Sequence, residues 1–255
     1  MNDKLLEMFP DNTILAGYRG SISHNTYVPK DMPNSSDDID LMGVFMPPAK
    51  SYLGLDTPKE VKETMLNEYD LVSYEFKKTV RMLLKSNPNI MPILWLKKDH
   101  YLKKTFYGRA LLDNRDLFSS KAAYNAYTGY AHSELLKINK TEFKGYMGAK
   151  RKKLVEMYGY DCKHASHSIR LLRMGVEFLD TGVLNVYREK DASELVDIKT
   201  GKWTIDEVKD EANRLFSLAK SQVDKSPLPK VPDVEAVNKI VEEIVYDHIN
   251  NEKRN

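Results

Sequence analysis

At 255 residues, 42% hydrophobic and 30% charged, the chain has a globular composition, with room for one large domain or two smaller ones. No apolar run approaches the roughly 20 residues of a membrane-spanning helix, and Met1-Asn2-Asp3-Lys4-Leu5 lacks the charged-then-apolar layout of a signal peptide. The single cysteine, Cys162, excludes an intrachain disulfide and points to a reducing, cytoplasmic setting.

In chain order, residues 1–11 predict a short helix, and Ile14-Leu15-Ala16-Gly17-Tyr18 predicts a strand. Gly20-Ser21 follows at once, and glycine lets backbone approach a bound group while serine and free N–H groups can hold a phosphate. A polar loop covers Asn25 to Ser36, and His24 beside it reads as a substrate contact or, more plainly, as an exposed loop residue. Ile39, Leu41, Val44 and Phe45 then predict a mostly buried strand. Alternation puts Asp38 and Asp40 on one side of it, about 7 Å apart. Two carboxylates held together repel each other unless a divalent cation sits between them, and oxygen-only ligands favour Mg²⁺. A solvated turn before the strand is the plainer reading of the same aspartates.

The strand stops at Pro47-Pro48, and Ser51 to Leu55 reads as a helical turn or loop. Lys59 to Met65 predicts a strand feeding a hairpin, and Glu68 to Tyr74 the next informative stretch. A helix is expected from about Ser73 to Lys85, ended by Asn87-Pro88-Asn89, after which Trp95 belongs to a core. From Leu111 the pattern is helical. Tyr124, Tyr127 and Tyr130 share a face, as packing or as a stacking platform for a nucleobase.

Between Lys140 and Arg173 there are nine Lys/Arg against three Asp/Glu, a candidate phosphate-contacting surface. Within it, Ile169, Leu172, Val176 and Leu179 put a helix from Lys163 to Asp180 against a core. Lys163, His167, Arg170 and Arg173 lie on another face. Such a cationic stripe needs anions or carboxylates opposite it, so it reads as phosphate contacts or as a salt-bridged helix. Cys162, His164 and His167 are too few for a zinc site. Asp206 to Lys220 predicts another amphipathic helix, and Ser226 to Pro232 a stiff linker. A last helix carries Val234, Val237, Val241, Ile244, Val245 and Ile249, an apolar stripe that must dock on the body or on a partner.

Gly20-Ser21, a spacer of sixteen residues from Ile22 to Asp37, and Asp38-Ile39-Asp40 on a strand together resemble the active-site signature of the DNA-polymerase-β-like nucleotidyltransferases. The spacer is longer than that superfamily usually has. Asn87-Pro88 before an apolar stretch, the segment Lys163 to Gly175, the run Glu177 to Gly182 and then Leu184-Asn185-Val186 resemble its RNA-ligase-associated branch. Pro92 stands where that branch usually has a glutamate.

The resemblance spans about residues 13 to 212 and implies an α/β (α+β) fold, a mixed sheet with helices followed by a helical C-terminal half. Its expected divisions are a catalytic core over 1–110, a helical nucleotide- and substrate-binding half over 111–225, and the linker with its last helix over 226–255. It further implies that Asp70 joins Asp38 and Asp40 in holding two Mg²⁺ ions (or Mn²⁺), with Glu68 and Glu75 as competitors for the third place. Gly20 and Ser21 would hold the β/γ-phosphates of a nucleoside triphosphate. Lys163, His167, Arg170 and Arg173 would neutralise charge as the helical half closes over the nucleotide. The implied acceptor is an RNA end. The alternatives are a non-catalytic RNA- or protein-binding module and an enzyme that modifies a protein hydroxyl.

Overall fold

The computed structural model describes residues 5–29, 35, 38–138 and 149–252. Half of the polar loop from Asn25 to Ser36, and Lys140 and Lys144 in the basic segment, lie outside the described residues. The chain divides into two compact units. One comprises Met1–Ser23, Asp38–Ser120 and Pro229–Asn255, the other His24–Asp37 and Lys121–Leu228.

The first unit is built on a five-stranded mixed sheet in the order β3-β4-β2-β1-β5. Its strands are β1 (Thr13–Tyr18), β2 (Ile39–Phe45), β3 (Val61–Leu66), β4 (Tyr69–Glu75) and β5 (Tyr101–Lys104). β2 and β4 run parallel while the other neighbours are antiparallel. β1 and β2 are near-continuous apolar runs, as central strands covered on both faces must be. β3, with Lys62 and Glu63, is an exposed edge strand whose charges discourage further pairing. The two-residue turn from β3 to β4 is allowed by Asn67, at φ 55°. Leu5, Phe9, Ala16, Leu41 and Leu71 form a core cluster of this unit.

Short helices punctuate the sheet: α1 (Gly20–Ser23), α2 (Lys50–Leu53), α3 (Phe76–Leu83) and α4 (Phe106–Asp113). β4 runs through Ser73 and Tyr74, so α3 begins later than the sequence pattern predicts. Glu75 explains the boundary, because its carboxylate accepts from the N–H groups of Lys77 and Lys78 and caps the helix. β5 was not foreseen. It is short and rich in lysine, and its Thr105 end is tied to Ile14 of β1 by backbone and hydroxyl hydrogen bonds.

The second unit is helical: α5 (Ala122–Ile138), α6 (Ala149–Tyr158), α7 (Cys162–Thr181), α8 (Ala192–Lys199) and α9 (Ile205–Lys225). α7 is capped by the Asp161 carboxylate at one end and by left-handed Gly182 at the other. Its Ile169, Leu172, Phe178 and Leu179 are buried. It packs closely on α5 through Gly175, where a Cβ would lie 2.8 Å from Cβ of Tyr127. A Thr204–Glu207 capping box starts α9.

The last helix, α10 (Val234–Glu252), belongs to the first unit. Val237, Ile244 and His248 are its buried positions. His248 Nε2 lies 2.9 Å from the Pro47 carbonyl oxygen, and Tyr107 donates to Asp247 at 2.6 Å. The stripe therefore docks on the body, but only with part of its width.

Candidate active site

Asp40 on β2 is the register partner of Asp70 on β4. Parallel in-register pairing sets their side chains on the same face of adjacent strands, which lie about 4.8 Å apart. The carboxylates are 26% and 36% exposed, so both reach solvent from otherwise apolar strands. Asp38 immediately precedes β2 and is exposed.

Gly20 closes against this pair. It has φ +61°, and a Cβ there would lie 1.9 Å from Oδ2 of Asp40. Both the backbone conformation and the space require glycine. Ser21 follows in the one-turn helix α1, and Ser23 bonds back to the Gly20 carbonyl at 2.9 Å.

Arg19, which the sequence motif did not single out, spans the two aspartates. Its Nη2 is 3.6 Å from Oδ1 of Asp40 and 3.9 Å from Oδ2 of Asp70, while its backbone N–H donates to the Asp40 carbonyl at 2.9 Å. Its only sequence signal is its place beside Gly20. A cation at that point offsets the repulsion that would otherwise oppose folding of the strands with both acids ionised. Among the described residues no cluster of three or more His, Cys, Asp or Glu is arranged as a metal site. The Asp40–Asp70 pair by itself is an oxygen-only donor set that fits a hard divalent cation. Glu75, a competitor for the third carboxylate, is 3% exposed and occupied as the α3 cap.

In the second unit the four residues of the α7 stripe stand in four different environments. Lys163 is exposed. Arg173 sits among three carboxylates, 3.1 Å from Asp191, 2.5 Å from Glu194 and 2.9 Å from Glu211. His167 is 3.8 Å from Glu134, yet burial, reinforced by the Arg170 charge, holds its pKa down to about 3. It is therefore neutral near pH 7 and offers a hydrogen bond rather than a charge. Arg170 differs from Arg173: its one hydrogen bond goes to the sulfur of Met174, and among the described residues no carboxylate lies within 4 Å of it. Burial lowers its pKa to about 10.

Beside Arg170 is Tyr127, 1% exposed, whose hydroxyl has no hydrogen-bond partner among the described residues. The tyrosine stripe is thus divided, with Tyr127 in the core and Tyr130 packed on the His167 ring at 5.7 Å between centroids. His24 is not the exposed loop residue expected. It is buried, with Nδ1 3.0 Å from the Val186 carbonyl oxygen, and burial with the Arg170 charge keeps it neutral.

Glu134, on α5, has one local partner, Lys137, but its histidine partner lies thirty residues on and leaves no local sequence signal. It pairs with His164 and, at 2.6 Å, with Lys137. Burial alone would raise its carboxyl; the His164 and Lys137 hydrogen bonds overcome that and hold it at about 2. Arg188, also unforeseen, is clamped by Glu177 at 2.6 Å and Asp191 at 2.8 Å. Cys162 is buried and its thiol is pushed up to about 11, which makes it a poor nucleophile and metal ligand.

The model of the RNA repair pathway DNA polymerase beta family (RlaP) matches residues 31–243, a span that takes in Asp38, Asp40, Asp70 and α7 and begins after Gly20-Ser21. Among solved structures, a nucleotidyltransferase-like protein from Exiguobacterium sibiricum 255-15 is similar at 14% identity and a TM-score of 0.27, covering 94% of this chain and 76% of that one. No curated protein matches the chain. No helix among the described residues is long and apolar enough to cross a membrane.

Proposed function

The chain belongs to the RNA repair pathway DNA polymerase beta family, and from that premise we propose that it transfers a nucleoside monophosphate from a nucleoside triphosphate to a hydroxyl on an RNA end. The observation that carries this reading is the register pairing of Asp40 with Asp70, closed on one side by Gly20.

In this reading Asp38, Asp40 and Asp70 hold two Mg²⁺ ions. When bound, the ions would act as Lewis acids that stabilise the charge developing in an in-line displacement. The acceptor hydroxyl oxygen bonds to the α-phosphorus, the bond to the pyrophosphate oxygen breaks, and Asp70 takes the hydroxyl proton. Gly20 and Ser21 hold the β/γ-phosphates through backbone N–H groups and the serine hydroxyl.

Arg170 supports an anion-binding role for the second unit. A half-buried guanidinium with no carboxylate within 4 Å among the described residues, next to a buried hydroxyl with no partner among them, is costly unless an anionic oxygen arrives to meet both. We assign that oxygen to a phosphate of the nucleotide or of the RNA. Lys163 adds a solvent-facing charge and His167 a neutral donor on the same helix.

The test is incubation with each α-labelled NTP, Mg²⁺ and short RNAs ending in a free hydroxyl, with Asp40→Asn as the control. Metal-dependent label on RNA that disappears in the variant is the expected result. Label on no RNA with any NTP would remove the RNA acceptor, and absence of pyrophosphate release under all conditions would leave a binding module.

A further inference from the structure

The apolar stripe of α10 has two halves. Val237 and Ile244 are buried with His248, while Val234, Val241, Val245 and Ile249, together with Val237, line a groove of about 780 Å³. Val80 of α3 and Leu84 just after it line the same groove, with Lys77 and Arg81. Val234 is 55% exposed and Tyr246, also on the α10 wall, 71%. This groove lies within the first unit and shares no residue with the aspartate pair.

We propose that a second copy of this chain fills the groove, with its own α10 lying along the α10 wall about a two-fold axis. The two rims have opposite charge: Lys77 and Arg81 on α3, Glu242 and Glu243 on α10. Arg81 is already paired with Glu60 at 2.9 Å. Lys77 lies over the Tyr52 ring at 4.8 Å and has no carboxylate partner among the described residues, and Glu242 only accepts a hydrogen bond from Asn238. The occupant that fits is an amphipathic helix with a narrow aliphatic stripe and an acidic flank, and α10 is itself such a helix. A two-fold operation sets each acidic rim against the other copy's basic rim, so one patch is complementary to itself. A partner with a basic flank would meet Lys77 and Arg81 unfavourably.

Sedimentation of the full chain across a concentration series tests the assignment. The wild-type protein is expected to reach twice 29.4 kDa. Val245→Glu puts a charge on the groove wall but not on the body-facing residues, so it is expected to give a monomer with an unchanged melting temperature. Lys77→Glu should weaken the dimer roughly tenfold, and combining it with Glu242→Lys should restore it. A wild-type protein that stays monomeric throughout, or a dimer that survives Val245→Glu, would overturn the proposal.

Discussion

The alpha carbon of Gly20 and the carboxylate of Asp40 occupy neighbouring space so closely that a methyl group at residue 20 would lie 1.9 Å from Oδ2. Gly20→Ala therefore combines a steric clash at the carboxylate with a positive φ that alanine tolerates poorly, at a backbone cost of about 1 kcal/mol. Transfer is expected to fall by at least a hundredfold, an order-of-magnitude figure for displacing a catalytic group by about 1 Å. Circular dichroism should still report a folded chain. Wild-type turnover in Gly20→Ala would show that Asp40 can be displaced without consequence.

Asp40→Asn and Asp70→Asn each remove one charge from the pair while keeping its shape. Both variants are expected to fold, to lose NTP turnover and to lose Mn²⁺ binding in a calorimetric titration. Because Arg19 bridges both acids, neither change should lower the melting temperature much: exposed ion pairs are worth about 1 kcal/mol or less. Retained turnover in either variant refutes the metal assignment.

Arg170 and Arg173 separate cleanly. Arg173→Ala leaves Asp191, Glu194 and Glu211 without their shared cation and should cost about 3 kcal/mol of stability. Arg170→Ala removes a guanidinium that has no carboxylate within 4 Å among the described residues and should leave stability nearly unchanged. Its effect belongs instead to ligand binding: loss of one charge-assisted contact, about 1.5–3 kcal/mol, or roughly tenfold to a hundredfold in kcat/KM for NTP or in RNA affinity. Chemical denaturation and nucleotide and RNA titrations on the two variants check both halves. Equal losses of stability would mean that Arg170 is a structural cation after all.

His167 gives the molecule an acid-sensitive step. Its folded pKa, about 3, lies below the ordinary value near 6.5, so between the two the unfolded chain binds more protons. The stability linked to it is complete above about pH 6.5 and is lost as the pH falls toward 3. Glu134, depressed to about 2, adds a second loss that begins only below about pH 4.5. His167→Gln should flatten the decline in melting temperature between pH 6.5 and 5, leaving the later one in place. An identical pH profile in the variant would refute the half-buried neutral imidazole.

The local parts of the candidate site were legible because their causes are local. Ile39, Leu41 and Val44 around two aspartates make a strand with a charged mouth, and Gly20-Ser21 stands at the end of another. The pairing of Asp40 with Asp70 was not legible in the same way. Parallel register depends on a crossover between strands thirty residues apart, so only the family resemblance drew attention to Asp70. On α7 the spacing placed four basic groups on one face but gave no information about their partners. Asp191, Glu194 and Glu211, which hold Arg173, come from later helices, and Tyr127 and Glu134 from an earlier one. A stripe that looks uniform in sequence is therefore a structural ion pair, a neutral imidazole, a cation with no carboxylate within 4 Å among the described residues and a surface lysine.

The first unit takes its last helix from the far end of the sequence, and that has a consequence for biosynthesis. Residues 121–228 emerge from the ribosome after the strands that bear Asp38, Asp40 and Asp70, yet before α10. The Pro47 carbonyl, the Ala49 N–H and the Tyr107 hydroxyl wait for His248, Glu252 and Asp247, all translated after the helical unit. The sheet unit can thus be finished only after the helical unit has been translated, whereas the helical unit has all its segments earlier. A product of premature termination would carry the complete aspartate set on an unfinished body, exposed to proteases before it could act.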